Sequence, residues 1–141
     1  MEELIELHKC IEEQRYHDAL LLIEELEEMS REDKLNKIFS YAVILLLHLI
    51  KQAAEQRTTR SWDFSIYNAV QQIARTNKRH KAGGVYIPLA EMRELLADAY
   101  PTALKRAAIE AFEGQYTEEQ FAQKIDCESV LQKAFDLIQE T

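Results

Sequence analysis

The sequence predicts an all-α fold: a single-domain helical bundle of about six or seven helices around one long apolar helix at about residues 31–56. Three observations predict it. Apolar residues recur at three- and four-residue spacing along most of the chain. Gly and Pro are scarce, three and two in 141 residues, so few positions can interrupt a helix. The one β-like run, Val85-Tyr86-Ile87, has no second strand to pair with and reads as an extended connector. At this length folding buries roughly two-thirds of the extended-chain surface, enough for one core and too little for two, so residues 1–141 are read as one domain.

The elements follow in order. Leu4, Leu7 and Cys10 or Ile11 give an amphipathic helix from about Glu2 to Gln14, ended by a turn around Tyr16, His17 and Asp18. A second helix from about Asp18 to Met29 places Ala19, Leu22, Ile23, Leu26 and Met29 on one face and Glu24, Glu27 and Glu28 outside it. Ser30 with Asp33 resembles a capping box and predicts that the central helix starts there, running to about Gln56. That helix is apolar in nearly every direction from Ile38 to Ile50, so other helices or a second subunit must enclose it.

Thr58, Thr59 and Ser61 break the pattern and offer caps for a fourth helix with the stripe Trp62, Ile66, Ala69, Val70 and Ile73. It ends in Lys78-Arg79-His80-Lys81 before Gly83-Gly84. Pro88 opens the next helical stretch, which stays in phase from Leu89 to Ala111 across Pro101, as one kinked helix or two that meet there. Gly114 is its natural end. Thr117 with Gln120 is a further capping box, and Asp126 caps a last helix with Val130, Leu131, Ala134, Phe135 and Ile138 turned inward.

Twenty-five acids against seventeen bases give a formal charge of −8, which disfavours nucleic acid or anionic membrane as a partner of the whole surface. The distribution is uneven: residues 1–33 carry −9, residues 51–81 carry +5 and residues 82–141 carry −6. The N-terminal residues lack the basic and apolar segments of a secretory signal, so a cytoplasmic location is expected. Cys10 and Cys127 read as reduced thiols. The most apolar run, Tyr41 to Ile50, is half what a bilayer span needs and reads as a core helix, with no membrane partner.

Several residues carry possible chemistry. His48 lies inside the apolar run; a base, metal-binding or pH-switching role is the functional reading, and a neutral ring hydrogen-bonded to a carbonyl or a tyrosine is the structural one, which is preferred. Arg57, Arg60, Ser61 and Trp62 group at a helix junction, either as an oxyanion site or, preferably, as a clamp in which the arginines hold Glu24, Glu25 or Glu28 while Trp62 packs as a wedge. Lys78 to Lys81 are preferably read as a solvated helix end that complements the dipole, with contact to nucleic acid or an acidic partner as the rival. His8, Cys10, Glu12 and His17 fit no common zinc spacing. Cys127 at a helix start could have a lowered pKa, but no adjacent His supports nucleophilic use. No cofactor motif is present, neither a Glu-x-x-His pair nor a Gly-rich phosphate loop.

The run Leu22-Ile23-Glu24-Glu25-Leu26-Glu27, followed by Leu45-Leu46-Leu47-His48-Leu49-Ile50-Lys51, Glu55-Gln56-Arg57 and Ser61-Trp62, resembles a bacterial family abundant in cyanobacteria and catalogued as domain of unknown function twenty-nine. The resemblance covers about Tyr16 to Phe135 and includes Ala99-Tyr100, Ala103, Phe121 and Cys127. The chain departs from the family pattern at Gln52, Ala54, Ala122 and Glu128, where an aromatic or proline is frequent. The resemblance implies an all-helical fold and supplies no activity.

The expected role is therefore a protein-protein interaction or structural module, a homo-oligomer (such as a homodimer) or the partner of another cytoplasmic protein, with Glu24, Glu25, Glu28, His48, Arg57, Arg60 and Trp62 as its candidate cluster. The first alternative is a nucleic-acid-associated regulator, such as a toxin-antitoxin component, using the basic residues 57–81. The second is an enzyme centred on His48, with Arg57 or Arg60 as oxyanion ligand, and it is the less favoured class.

Overall fold

The computed structural model describes residues 2–79 and 83–141. Among the described residues there are six α-helices: α1 (Glu2–Glu12), α2 (Tyr16–Glu55), α3 (Arg60–Asn77), α4 (Leu89–Glu110), α5 (Glu118–Ala122) and α6 (Cys127–Gln139), with a 3-10 turn at Ala111–Gly114. The fold is all-α, with one long helix supplying the middle of the core, as the sequence predicts. The chain divides into two compact units, one ending at Lys34 and the other running from Leu35 to Thr141.

The first unit holds α1 and the opening turns of α2. Gln14 stands at φ 61, and the amides of Arg15 and Gln14 reach back to the carbonyls of Cys10 and Ile11 at 2.8 and 3.1 Å. This is a Schellman closure with glutamine in the left-handed position that usually goes to glycine. Cys10 and Ala19 are buried there, and among its other described residues none is.

The expected break at Ser30 does not occur: α2 is a single helix of 40 residues. A capping hydroxyl acts only where the backbone leaves helical geometry. Between Leu26 and Leu35 there is no Gly or Pro, and Glu27, Glu28, Met29, Arg31, Glu32 and Lys34 are good helix formers. Ser30 is exposed, so water satisfies its hydroxyl. The helix also begins at Tyr16, two residues before the expected Asp18, because the turn is complete at Arg15.

In the second unit, Ile38, Ala42, Leu45, Leu46 and Ile50 are fully buried. By length and composition α2 could cross a membrane, but its apolar stretch shares one hydrophobic core with residues of α3, α4, α5 and α6. The α4 face that joins the same core is Met92, Leu96, Ala99, Ala103 and Ala107, whose small side chains let neighbouring helices approach closely. Phe121 from α5 and Val130, Ala134, Phe135 and Ile138 from α6 complete it.

α4 runs unbroken through Pro101, which answers whether one helix or two occupy that stretch. Proline costs the carbonyl of Ala97 its helical partner. Both residues are exposed, so that oxygen faces water. α4 stops at Glu110, four residues before the expected Gly114, because Phe112, Glu113 and Gly114 all take positive φ (50, 56 and 74). The reversal sets the Phe112 ring edge-on to Tyr116 at 5.3 Å and to Phe121 at 6.3 Å. Aromatic packing thus offsets local backbone strain.

The caps at Thr59, Thr117 and Asp126 are as the sequence predicts, each side chain accepting from an amide of the first turn. α3 ends at Asn77. The buried Asn77 side chain donates to Ile87 O at 3.0 Å and accepts from Ile87 N at 2.8 Å, pinning the connector that contains Val85. A lone antiparallel bridge joins Lys78 to Val85, and no strand forms among the described residues. His80 and Lys81 lie outside the described residues.

Candidate functional site

The end of α2, the start of α3 and the end of α4 meet around one cleft of about 440 Å³, lined by Lys51, Glu55, Arg57, Trp62, Glu110, Phe112, Glu113 and Gln115. Its walls are fixed by local chemistry. Gln56 takes φ 52 to turn the chain out of α2. Thr59 caps α3 by accepting from Trp62 N at 3.0 Å. Thr58 donates to the Asp63 carboxylate at 2.6 Å, and Gln52 donates to Thr58 at 2.8 Å. This network holds Trp62 where two cations lie over its ring, Arg57 at 4.7 Å and Lys51 at 4.9 Å from the centroid.

Both cations are also paired with carboxylates. Arg57 reaches Glu55 at 3.1 Å. Lys51, buried at the end of the apolar run, reaches Glu110 at 3.3 Å, and Arg106 reaches the other oxygen of Glu110 at 3.0 Å. Burial pushes the Glu110 carboxyl up, but hydrogen bonds from Arg106 and Lys51, with their charges, outweigh it and hold the group below the ordinary carboxylate value. The arrangement braces a corner where three segments meet. The charges of Lys51, Arg57, Glu55 and Glu110 answer one another within it.

Two residues of the candidate cluster read from the sequence line the cleft. Arg57 and Trp62 share the cleft, whereas Arg60 is exposed and outside its lining. His48 is also outside it, and its Nδ1 donates to Ile44 O at 2.8 Å, the local helix bond expected of a structural imidazole. Glu24, Glu25 and Glu28 are exposed side chains of the first unit, and the partner Arg57 takes is Glu55. Residues that sequence reasoning missed are Glu55, Glu110 and the strained Phe112 and Glu113. Lys51 carried a signal, as the charge that closes an apolar run.

Cys127 does not have the lowered pKa its helix-start position suggested. Burial pushes its thiol up, as do Glu128 and Asp126, against a hydrogen bond from Tyr100 that favours the thiolate. Burial likewise pushes the Tyr100 hydroxyl up, with Cys127 and Asp126 adding to it. Among the described residues no three of His, Cys, Asp and Glu gather as metal ligands. His8 instead pairs with Glu12 at 3.1 Å on an exposed face.

Two further surfaces stand out. In the first unit Leu4, Ile5, Ile11, Tyr16, Leu20, Leu21, Ile23 and Met29 are each more than a third exposed. On α3 the spacing of Arg60, Phe64, Tyr67, Gln71 and Arg75 puts all five on one side, opposite the buried Ala69 and Ile73. All five are exposed, Phe64 by 66% and Tyr67 by 61%.

Neither a curated protein nor a solved structure matches the chain. The family described as Domain of unknown function DUF29 matches residues 6–136, nearly the whole length and including most of α1, and the chain belongs to that family.

Proposed function

We propose that this protein is an interaction module that assembles with a second copy through its N-terminal unit. The observation that carries the reading is the imbalance in that unit, where eight large apolar side chains are exposed and two apolar residues are buried. Two short helical segments cannot enclose a core of their own, and Tyr16, Leu20 and Ile23 share one side of α2, the kind of exposed apolar stripe that docking sites use. The sequence placed the need for cover on Ile38 to Ile50; that run is buried within the second unit, so the uncovered surface lies upstream of it.

Light scattering on the eluting peak of a sizing column tests the reading. Twice the chain mass of 16.5 kDa is expected at micromolar concentration. Replacing Leu20 and Ile23 by Glu should return a folded monomer, and a wild-type monomer at 100-fold higher concentration would overturn the proposal. A second reading, single-stranded nucleic acid on α3, is favoured by one observation: Phe64 and Tyr67 lie on the same face as Arg60 and Arg75, and flat rings between cations suit stacked bases. Retention on a single-stranded oligonucleotide at low salt, lost with Tyr67→Ala, tests it.

A further inference from the structure

We infer that the basic, aromatic face of α3 is the surface on which the acidic N-terminal unit of a second copy docks, with the start of α2 lying antiparallel to α3. The inference rests on the assembly proposed above and adds to it the receiving surface and the register. The chemistry of the two surfaces is complementary. Residues 1–34 carry twelve acids and four bases. Among the described residues Glu24, Glu25, Glu27 and Glu28 form no ion pair, and neither do Arg60 and Arg75. α3 contains a single acid, Asp63, which is engaged by Thr58. Each surface therefore presents charge that its own surroundings leave uncompensated, of opposite sign, around exposed apolar side chains.

The spacing supplies the register. On α2 the exposed residues Tyr16, Leu20, Ile23 and Glu27 succeed one another by four, three and four positions and so form one stripe. On α3 read backwards, Gln71, Tyr67, Phe64 and Arg60 succeed one another by the same steps. Laid antiparallel, both stripes span about 16 Å at 1.5 Å per residue. Leu20 then faces Tyr67, Ile23 faces Phe64, and Glu27 faces Arg60, while the Tyr16 ring covers Gln71. In the parallel orientation Glu27 falls opposite Gln71, Tyr16 falls opposite Arg60, and the charge match is lost. Made once in each direction, the contact closes a two-fold dimer in which the two copies exchange equivalent surfaces.

The test uses Glu27→Arg and Arg60→Glu, both at exposed positions, in the full-length chain, with folding checked by circular dichroism. Each variant alone places like charges in both contacts of its homodimer, so its dimer dissociation constant should rise at least tenfold. Mixing the two variants restores dimers at nearly wild-type affinity. In the mixed dimer one contact sets the two introduced side chains against each other, arginine facing glutamate, and the other keeps the native pair of Glu27 and Arg60. Native mass spectrometry of the mixture, with one variant isotopically labelled, reads the mixed species directly. If Leu20→Glu with Ile23→Glu breaks the dimer but neither charge reversal does, assembly through the N-terminal unit stands and the α3 register falls. If each variant weakens the dimer and the mixture does not recover, the register is likewise wrong. If Arg60→Glu abolishes retention on an oligonucleotide and leaves the dimer intact, α3 is a nucleic-acid surface and the inference is overturned. A wild-type monomer overturns both readings.

Discussion

Glu110→Gln isolates the charge at the braced corner while keeping the shape of the side chain. The Lys51 side chain is 11% exposed and lies 3.3 Å from a carboxylate that is itself 37% exposed. With an effective dielectric of 20, two unit charges at that distance attract by about 5 kcal/mol before any desolvation is subtracted. Water at the carboxylate screens much of this, and Lys51 keeps its contact with Trp62. The net loss should therefore lie between an exposed pair, under about 1 kcal/mol, and a fully buried one, about 3 to 5 kcal/mol. We expect about 1 to 2 kcal/mol at pH 7. The pH dependence follows from the direction of the Glu110 shift. A carboxyl held below its ordinary value stabilises the fold above the unfolded-state range near about 4.3 and loses that contribution as pH falls towards the folded-state value. Urea unfolding followed by the single tryptophan, Trp62 in the cleft, measures both. A wild-type advantage that is under about 0.3 kcal/mol at pH 7, or one that persists undiminished at pH 3, would refute the reasoning.

Three further outcomes are expected. Leu46→Ala, at a fully buried position of α2, should cost about 2 to 5 kcal/mol in the same urea assay, since the cavity cannot collapse between helices packed on several sides. Gly114→Ala should destabilise by about 1 to 2 kcal/mol, because φ is 74 and the added Cβ would lie 3.3 Å from Ile109 O, whereas Gln56→Gly, at φ 52, should stabilise by about 0.5 to 1 kcal/mol. At pH 8 the native protein should react with iodoacetamide more slowly than a free cysteine peptide, because the raised Cys127 pKa lowers its thiolate fraction and Cys10 is buried; a rate equal to the peptide's would contradict the assigned environment.

The helices were legible where a periodic apolar face coincided with a chemical boundary. α3 is the clearest case, with Thr59 at its cap and a buried stripe of Ala69, Val70 and Ile73, although it ends at Asn77, ahead of the basic residues expected to close it. Legibility failed where a local signal competed with a longer-range preference. Ser30 and Asp33 have the side chains of a cap, but an unbroken row of helix formers on both sides gives the backbone no reason to leave the helix. Gly114 drew attention as a stop, while the chain turns two residues earlier at Phe112, paid for by aromatic packing that becomes visible only once α5 is in place.

The candidate site was legible in halves. Arg57 and Trp62 belong together, as their proximity in sequence suggested, but the acids that answer the cations are Glu55 and Glu110, the second of them 59 positions beyond Lys51. No periodicity reports such a pairing, because it depends on where two helices end. The consequence reaches the acidic helix as well. With Arg57 and Lys51 satisfied inside the second unit, Glu24, Glu25, Glu27 and Glu28 form no ion pair and stand among exposed leucines and isoleucines. Charge and apolar surface left together on one short unit are costly in isolation and useful in a complex: the apolar residues supply the drive to associate, and the carboxylates restrict which surface can receive them.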